Sequence, residues 1–151
     1  MALRWQNLTN EEKSQTLMTH KLVVDYSDLL TYTSGTAFAL FPQPLGTATT
    51  PGGTFFGPVA VYVNTTFAGT GPLTALTLSI GDGTTATRYL NAANVFTTAG
   101  WKFGAIATTP FGTEAADTID GVLTATGGTL AALTAGRFTV FAHIADFNRL
   151  L

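Results

Sequence analysis

The sequence predicts an all-β protein, an antiparallel β-sandwich of jelly-roll type preceded by a short N-terminal helical arm. Three observations support this fold class. The 151 residues include 29 threonines and 16 glycines, and threonine favours pleated strands whereas glycine favours turns. Segments with an apolar residue at every second position recur along the chain, which is the period of a strand. Turn sequences such as Gly81-Asp82-Gly83 separate these segments.

The composition limits the classes of function. Charged residues make up 11% of the chain and apolar residues 46%, the reverse of a disordered composition. A surface so poor in charge is expected to be partly buried against neighbouring subunits. The net charge of −2 comes from scattered charges, which excludes a nucleic-acid partner because phosphates require a basic patch. No membrane partner is expected, since no apolar run approaches 18 residues.

Residues 1–20 are predicted to form the arm. The one helical stretch is Leu8–His20, and Thr9 with Glu12 three positions later has the spacing of a capping box. Its apolar content is small, and a helix of this length is marginal without support. The helix therefore either packs on its own domain or docks on a neighbouring subunit, with Trp5 as the anchor.

The β-sandwich domain is predicted to span residues 21–151 and to fold without the arm. Seven or eight strands are expected, because alternating segments and breakers such as Pro42 and Pro44 follow one another closely. The strand order does not follow from this pattern. The segments are Leu22–Tyr26, Ala37–Phe41, Val59–Val63, Leu76–Ile80, Trp101–Thr108, Thr118–Thr126 and Arg137–Phe147.

The final strand is apolar on both faces. One face holds Phe138, Val140, Ala142 and Ile144, and the other holds Phe141, His143, Ala145 and Phe147. Apolar residues on both faces indicate burial on both faces, whereas one face of each sheet in a sandwich normally meets water. The second face is therefore covered by the N-terminal segment, by the loop 46–58, or by another subunit.

Residue sets for catalysis or metal binding are not found. His20 and His143 have no local nucleophile, and Asp117 and Asp120 would point to opposite faces of a strand. Asp82 is the single carboxylate of its glycine-rich stretch, which predicts a tight turn rather than a calcium site. The sequence contains no cysteine, so disulfides and thiolate chemistry are excluded. No catalytic, cofactor-binding or metal-binding residue is predicted.

Four segments together resemble small virion proteins of tailed bacteriophages. In those proteins an Ile-Gly-Asp stretch is followed by a Tyr-Leu pair, and a Leu-Thr-Ala-Gly turn precedes the last strand. The resemblance spans Leu22 to Ile144 and implies a virion structural protein without catalytic residues. The segments are Ser79-Ile-Gly-Asp-Gly83, Arg88-Tyr-Leu-Asn-Ala-Ala93, Ala116-Asp-Thr-Ile119 and Leu133-Thr-Ala-Gly-Arg137-Phe-Thr-Val-Phe141.

Three functions compete. The first is a non-enzymatic capsid decoration or cement protein, which is made in the host cytoplasm and lies on the capsid surface. Its expected partners are the major capsid protein and copies of itself, with which it would form a homotrimer. The second is a tail or receptor-binding component that binds carbohydrate through exposed aromatic residues such as Trp101, Tyr89 and Phe55-Phe56. The third is a small sugar-modifying enzyme, which the missing acids and ligands disfavour. The predicted interface residues are Trp5, Leu17, Met18, Phe141, His143 and Phe147.

Overall fold

A computed structural model describes residues 3, 5–41, 54–104 and 118–146. These residues form mostly strand, with short helices near the N-terminus. The helices are α1 (Asn10–Thr16) and α2 (Tyr26–Leu29), and Leu130–Ala132 forms a 3₁₀ turn. The strands are β1 (Trp5–Asn7), β2 (His20–Asp25), β3 (Ala37–Phe41), β4 (Thr54–Gly69), β5 (Ala75–Gly81), β6 (Leu90–Asn94), β7 (Gly100–Phe103), β8 (Ile119–Thr126) and β9 (Leu133–Asp146).

The strands form two antiparallel sheets. Sheet A has the order β1-β2-β9-β4-β7, and sheet B has the order β3-β8-β5-β6. Strand β2 pairs with β9, β3 with β8, β4 with β7, and β5 with β6. These pairs are nested within one another along the chain, as in one long hairpin folded over into two layers. The predicted all-β antiparallel sandwich is confirmed, and the nested pairing favours its jelly-roll form.

One apolar core lies between the sheets. Alternate residues of each strand point into it, because successive side chains of a strand lie on opposite faces. The long strands β4 and β9 supply much of the sheet A side, and β5 and β8 supply much of the sheet B side. The fully buried core residues include Leu22, Val24, Val61, Phe138, Val140 and Ala142 from sheet A and Leu40, Leu76, Leu78, Ile80, Ile119 and Leu123 from sheet B.

The predicted elements agree with the structure where the alternation is regular. The strand Ala37–Phe41 has the predicted bounds. The helix is shorter than predicted, Asn10–Thr16, because Leu17 takes a left-handed conformation with φ 59°. Its capping box is confirmed: Thr9 Oγ1 accepts from the Glu12 amide at 3.3 Å, and Glu12 Oε2 accepts from the Thr9 amide at 2.9 Å. Strands β1 and β6 and helix α2 were not predicted.

The N-terminal segment, residues 5–19, joins the edge of sheet A. Trp5 pairs with Leu22 across β1 and β2, and Leu8 is only 5% exposed, although Leu8 stands apart from the main core cluster. Leu3 is half-buried and packs against that cluster. The segment therefore contributes an edge strand and a small apolar contact. The division of the chain at residue 20 stays a prediction, which truncation tests.

Candidate interaction surface

The outer face of sheet A carries four aromatic side chains, Tyr62, Trp101, Phe103 and Phe141, which are called the aromatic patch from here on. Three strands supply them. In the register of the sheet, Tyr62 of β4 lies opposite Trp101 of β7, and Ala60 of β4 lies between Phe103 of β7 and Phe141 of β9. Because Val61 of β4 points into the core, its neighbours Ala60 and Tyr62 point outward. The patch therefore lies on the face opposite the core.

The rings of the aromatic patch contact one another. Trp101 is at the centre: its ring centroid lies 5.0 Å from Tyr62, 5.7 Å from Phe103 and 5.6 Å from Phe141. The rings of Trp101 and Phe103 are nearly parallel, with an interplanar angle of 10°. Aromatic pairs in this distance range stabilise each other beyond simple burial. The four side chains therefore form one contiguous aromatic cluster.

Much of this aromatic surface remains exposed to solvent. Phe103 is 74% exposed, Trp101 51% and Tyr62 37%, whereas Phe141 is half-buried. Large apolar side chains seldom lie grouped on the surface of a free monomer, and such groups mark sites of interaction. The aromatic patch is therefore the candidate interaction surface of this protein.

The outer face of sheet B has the opposite character. Thr77 of β5 lies between Thr124 of β8 and Asn94 of β6, and Ser79 lies opposite Val122. These residues are exposed or half-buried, and most are polar. One outer face of the sandwich is thus suited to water, as is usual in a two-layer sandwich, and the other is suited to a partner.

Paired charges border the aromatic patch. Lys21, opposite Phe141 in the register of β2 and β9, forms an ion pair with Glu12 of α1 at 3.4 Å. Toward the other end of the sheet, Arg137 Nε donates to Asp25 Oδ1 at 2.6 Å, and this contact raises the pKa of Arg137. Among the described residues, Lys21 and Arg137, the two cations of β2 and β9 on this face, therefore each have an opposite charge within the chain.

The end of α1 protrudes beside this face. Leu17 is 75% exposed, although its side chain is apolar and its backbone is in the left-handed region that favours glycine. The ring of His143 contacts the carbonyl oxygen of Leu17 through Nδ1. A carbonyl can only accept, so this bond requires the proton on Nδ1 of His143. His143 follows Phe141 on the same face of β9, which places the exposed Leu17 next to the aromatic patch.

The structure brings together only some of the predicted interface residues. Phe141, His143 and Leu17 lie on or beside the outer face of sheet A, and Met18 is half-buried next to them. Trp5 lies in β1, at the far edge of the same sheet. Phe147 lies outside the described residues, as does Asp117. Whether these residues form an interface stays a prediction.

Sequence reasoning missed Tyr62 and Phe103. The alternation of Val59, Val61 and Val63 already places Tyr62 on the outer face, and Phe103 follows Trp101 by the two positions that put both on one face of a strand. The missing information was the register that joins β4 to β7 and β9. Among the aromatic residues named for carbohydrate binding, Trp101 is exposed, whereas Tyr89 is buried in the core.

The glycine-rich stretch around Asp82 is held by local hydrogen bonds. Asp82 Oδ1 accepts from the amides of Thr84 at 3.0 Å and Thr85 at 2.7 Å, and Arg88 forms an ion pair with Asp82. The glycine-rich stretch is thus the predicted tight turn. Within the described ranges, no three His, Asp or Glu side chains are grouped so that they could hold a metal ion. No described helix has the length and apolar content needed to cross a membrane.

Comparison with known proteins yields one informative likeness. No protein-family model matches the sequence, and no curated protein matches it. A solved structure described as the capsid asymmetric unit of cyanophage Pam1 contains a chain with a similar fold. The TM-score is 0.56 and the sequence identity 19%, over 83% of this chain and 81% of that chain. At this level of identity the likeness shows a shared fold, which extends over most of both chains.

Proposed function

We propose that this protein is a non-enzymatic structural subunit of a tailed-phage particle, and specifically a decoration or cement protein that stabilises the capsid. The observation that carries the proposal is the exposed aromatic patch on a sandwich whose fold matches a chain of a cyanophage capsid assembly. A rigid aromatic surface with self-paired charges around it suits a permanent protein interface, whose core is rich in aromatic residues and poor in unpaired charge.

The proposed partners are the major capsid protein and further copies of this chain. The aromatic patch and the neighbouring Leu17 would contact the capsid protein, and copies would associate as a homotrimer, since closed symmetry is the usual arrangement of repeated subunits. The low charge content supports both contacts, because a surface of this kind is stabilised by burial. Synthesis in the host cytoplasm and a place on the outside of the capsid belong to the same proposal.

The experiment measures binding to particles of the encoding virus that were assembled without this protein. Purified protein is added to such particles, and the bound fraction is measured by sedimentation. We expect saturable binding at a regular set of capsid sites, visible by electron cryomicroscopy, and a higher temperature of DNA release. Density for the protein at the tail alone would contradict the decoration role and retain the virion role. Absence of binding to any particle component would contradict both.

Matched variants connect binding to the aromatic patch. Trp101→Ala removes the ring that contacts the three other aromatic rings. Because buried aromatic anchors commonly contribute about 2 kcal/mol or more at an interface, we expect this variant to bind about 30-fold more weakly. Thr124→Ala on the outer face of sheet B is the control, since that side chain is exposed on the polar face. Equal binding of the two variants would show that the patch is not the contact surface.

A second candidate function follows from the exposed Trp101 and Phe103. Nearly parallel aromatic rings on a surface can stack against sugar rings, which would fit a tail or receptor-binding component that recognises a host glycan. The two candidates differ in a measurable way. Saturable quenching of tryptophan fluorescence by host surface polysaccharide, lost in Trp101→Ala, would favour the glycan; quenching by capsid protein alone would favour decoration.

A further inference from the structure

Strand β1 and helix α1, which together are called the β1–α1 unit (residues 5–16) from here on, are held to the rest of the chain by few contacts. Strand β1 has three residues and pairs with β2 at the edge of sheet A. Helix α1 contains no buried residue. Among the side chains of this unit that the structure describes, Leu8 is the one buried apolar group. The unit can therefore detach while the core between the sheets stays intact.

A strained hinge joins the β1–α1 unit to β2. Leu17, at the end of α1, has φ 59° and is 75% exposed. Glycine is the usual residue in this left-handed position, because a Cβ is disfavoured there. The closed turn is completed by the amide of Leu17, which donates to the carbonyl of Lys13 at 3.0 Å. Thr19 is fixed on β9, since its amide donates to Ala142 at 3.0 Å. The hinge therefore consists of Leu17 and Met18, and extending it relieves the strain.

The surface that receives the β1–α1 unit matches it in hydrogen bonding and charge. Gln6 of β1 lies opposite Lys21 of β2, and Lys21 forms an ion pair with Glu12 of α1 at 3.4 Å. The amide of Leu8 donates to the carbonyl of Thr19 at 2.9 Å. The two sides of each contact are connected only through the hinge. The same contacts can therefore form when the unit comes from another copy of the chain.

We propose that copies of this chain exchange their β1–α1 units, so that β1 of one copy pairs with β2 of the next. This inference rests on the self-association in the proposed function and deepens it by naming the contact. Exchange produces an oligomer at low cost, because each copy regains the contacts that it gives up. A short hinge under strain favours exchange over the closed form. Exchange from each copy to the next can close as a ring of three, the arrangement proposed above.

The length of the hinge determines where the copies meet. When it is extended, the chain from Thr16 to Thr19 spans about 10 Å, so the exchanging copies must lie side by side at the β1 edge of sheet A. The aromatic patch lies on β4, β7 and β9, toward the other edge of that sheet. Exchange therefore leaves the aromatic patch free for the capsid protein, and one subunit has separate surfaces for its two partners.

Engineered disulfides distinguish exchange from the closed form, because the chain has no cysteine of its own. Gln6→Cys with Lys21→Cys places thiols on directly opposed residues of β1 and β2, within the range of a disulfide. The bond joins two chains if the unit is exchanged and closes within one chain if it is not. After mild oxidation of the isolated protein, we expect covalent trimers on a non-reducing denaturing gel. Thr77→Cys with Thr124→Cys, opposed residues of β5 and β8, is the control and should give covalent monomers.

Covalent monomers alone in the β1–β2 variant would overturn the exchange. Light scattering of the same sample separates this failure from that of the proposed function. An oligomer whose disulfides close within each chain would overturn the exchange and retain the homotrimer, whereas a monomer would overturn both. Binding to the capsid is measured separately and is unaffected by either result. If the variant does not fold, Asn7→Cys with His20→Cys, the next opposed pair, repeats the test.

Substitutions in the β1–β2 disulfide variant test the role of the hinge. Leu17→Gly favours the left-handed turn and should lower the ratio of exchanged to closed units about tenfold. Leu17→Pro cannot adopt a positive φ or donate to Lys13, so it should raise that ratio. Ala92→Gly in β6 relieves the other left-handed non-glycine residue among those described, with φ 44°, and should leave the ratio unchanged. Equal ratios in all three variants would overturn the assignment of the hinge.

Discussion

Deleting residues 1–18 tests whether the sandwich folds without its N-terminal segment. The deletion removes β1 and α1 but keeps Thr19 and the whole of β2. Among the described side chains of residues 1–18, Leu8, at 5% exposure, is the one buried apolar residue, and burial of a leucine contributes about 2 kcal/mol. The backbone hydrogen bonds of β1 contribute about 1 kcal/mol each. Ordering the residues of β1 costs about 1–2 kcal/mol of chain entropy per residue, which opposes this contribution.

The expected result is a destabilised but folded domain. The net loss is taken as the Leu8 contribution, about 2 kcal/mol, because the hydrogen bonds and the entropy of β1 nearly cancel. For a chain of this size the loss lowers the thermal midpoint by about 4–8 °C. The core cluster, with Leu22, Val140 and Leu123 fully buried, remains complete. Calorimetry should therefore show one cooperative transition, and circular dichroism should retain the β spectrum.

Particle binding by the truncated protein separates an arm from a structural segment. A folded truncation that no longer binds particles supports attachment through residues 1–20, and Trp5→Ala in the full chain should reproduce part of that loss. A folded truncation that binds normally refutes the arm. An unfolded truncation shows that β1 and Leu8 belong to the folding unit, and the energetic reasoning above would then be wrong.

Three further predictions concern the fold. Gly136→Ala should cost about 3 kcal/mol or more, because φ is +134° and the new Cβ would meet the Phe67 ring at 2.4 Å; urea denaturation measures this loss, and a cost below about 1 kcal/mol would contradict the packing. Phe138→Ala should cost about 3–5 kcal/mol in the same assay, because the side chain is fully buried. Asp82→Ala should cost about 1–2 kcal/mol, since it removes the acceptor of two turn amides and breaks the ion pair with Arg88; its binding to particles should equal that of the wild type, and a selective loss of binding would assign the turn to the interface.

Local pattern was sufficient to predict elements whose signals lie within a few residues. The strand Ala37–Phe41 has regular apolar residues and is followed by Pro42, and the capping box needs only Thr9 and Glu12. Longer elements were underestimated. Strand β4 extends over Thr54–Gly69, whereas the prediction covered only Val59–Val63. The rest of the strand was missed because register shifts interrupt the alternation of apolar residues that identified it. A bulge displaces side chains from one face to the other, so a period of two residues no longer marks the strand.

The aromatic patch could be predicted only in part, because it depends on register between distant strands. Phe141 was identified since β9 is apolar on both faces, and this property requires no knowledge of its neighbours. Trp101 and Tyr62, by contrast, meet only because β4 pairs with β7 in one particular alignment. The sequence favoured a core or interface position for aromatic residues such as Tyr89, but which of them are buried depends on how segments such as the turn after β5 fold back.

The charges around the aromatic patch explain how one face can be stable in water and still be ready for burial. A partner that covers sheet A must remove water from any charge on that face, and an unpaired charge would then cost several kcal/mol. Here Lys21 is already paired with Glu12 and Arg137 with Asp25, so neither needs a counter-charge from the partner. Pairing therefore lowers the cost of burying these charges, and release of the water around the aromatic rings is favourable. If this reasoning holds, Asp25→Asn should weaken binding by leaving Arg137 unpaired at the interface, whereas the double variant with Arg137→Met should regain most of the affinity. A double variant as weak as Asp25→Asn would mean that these side chains contact the partner directly.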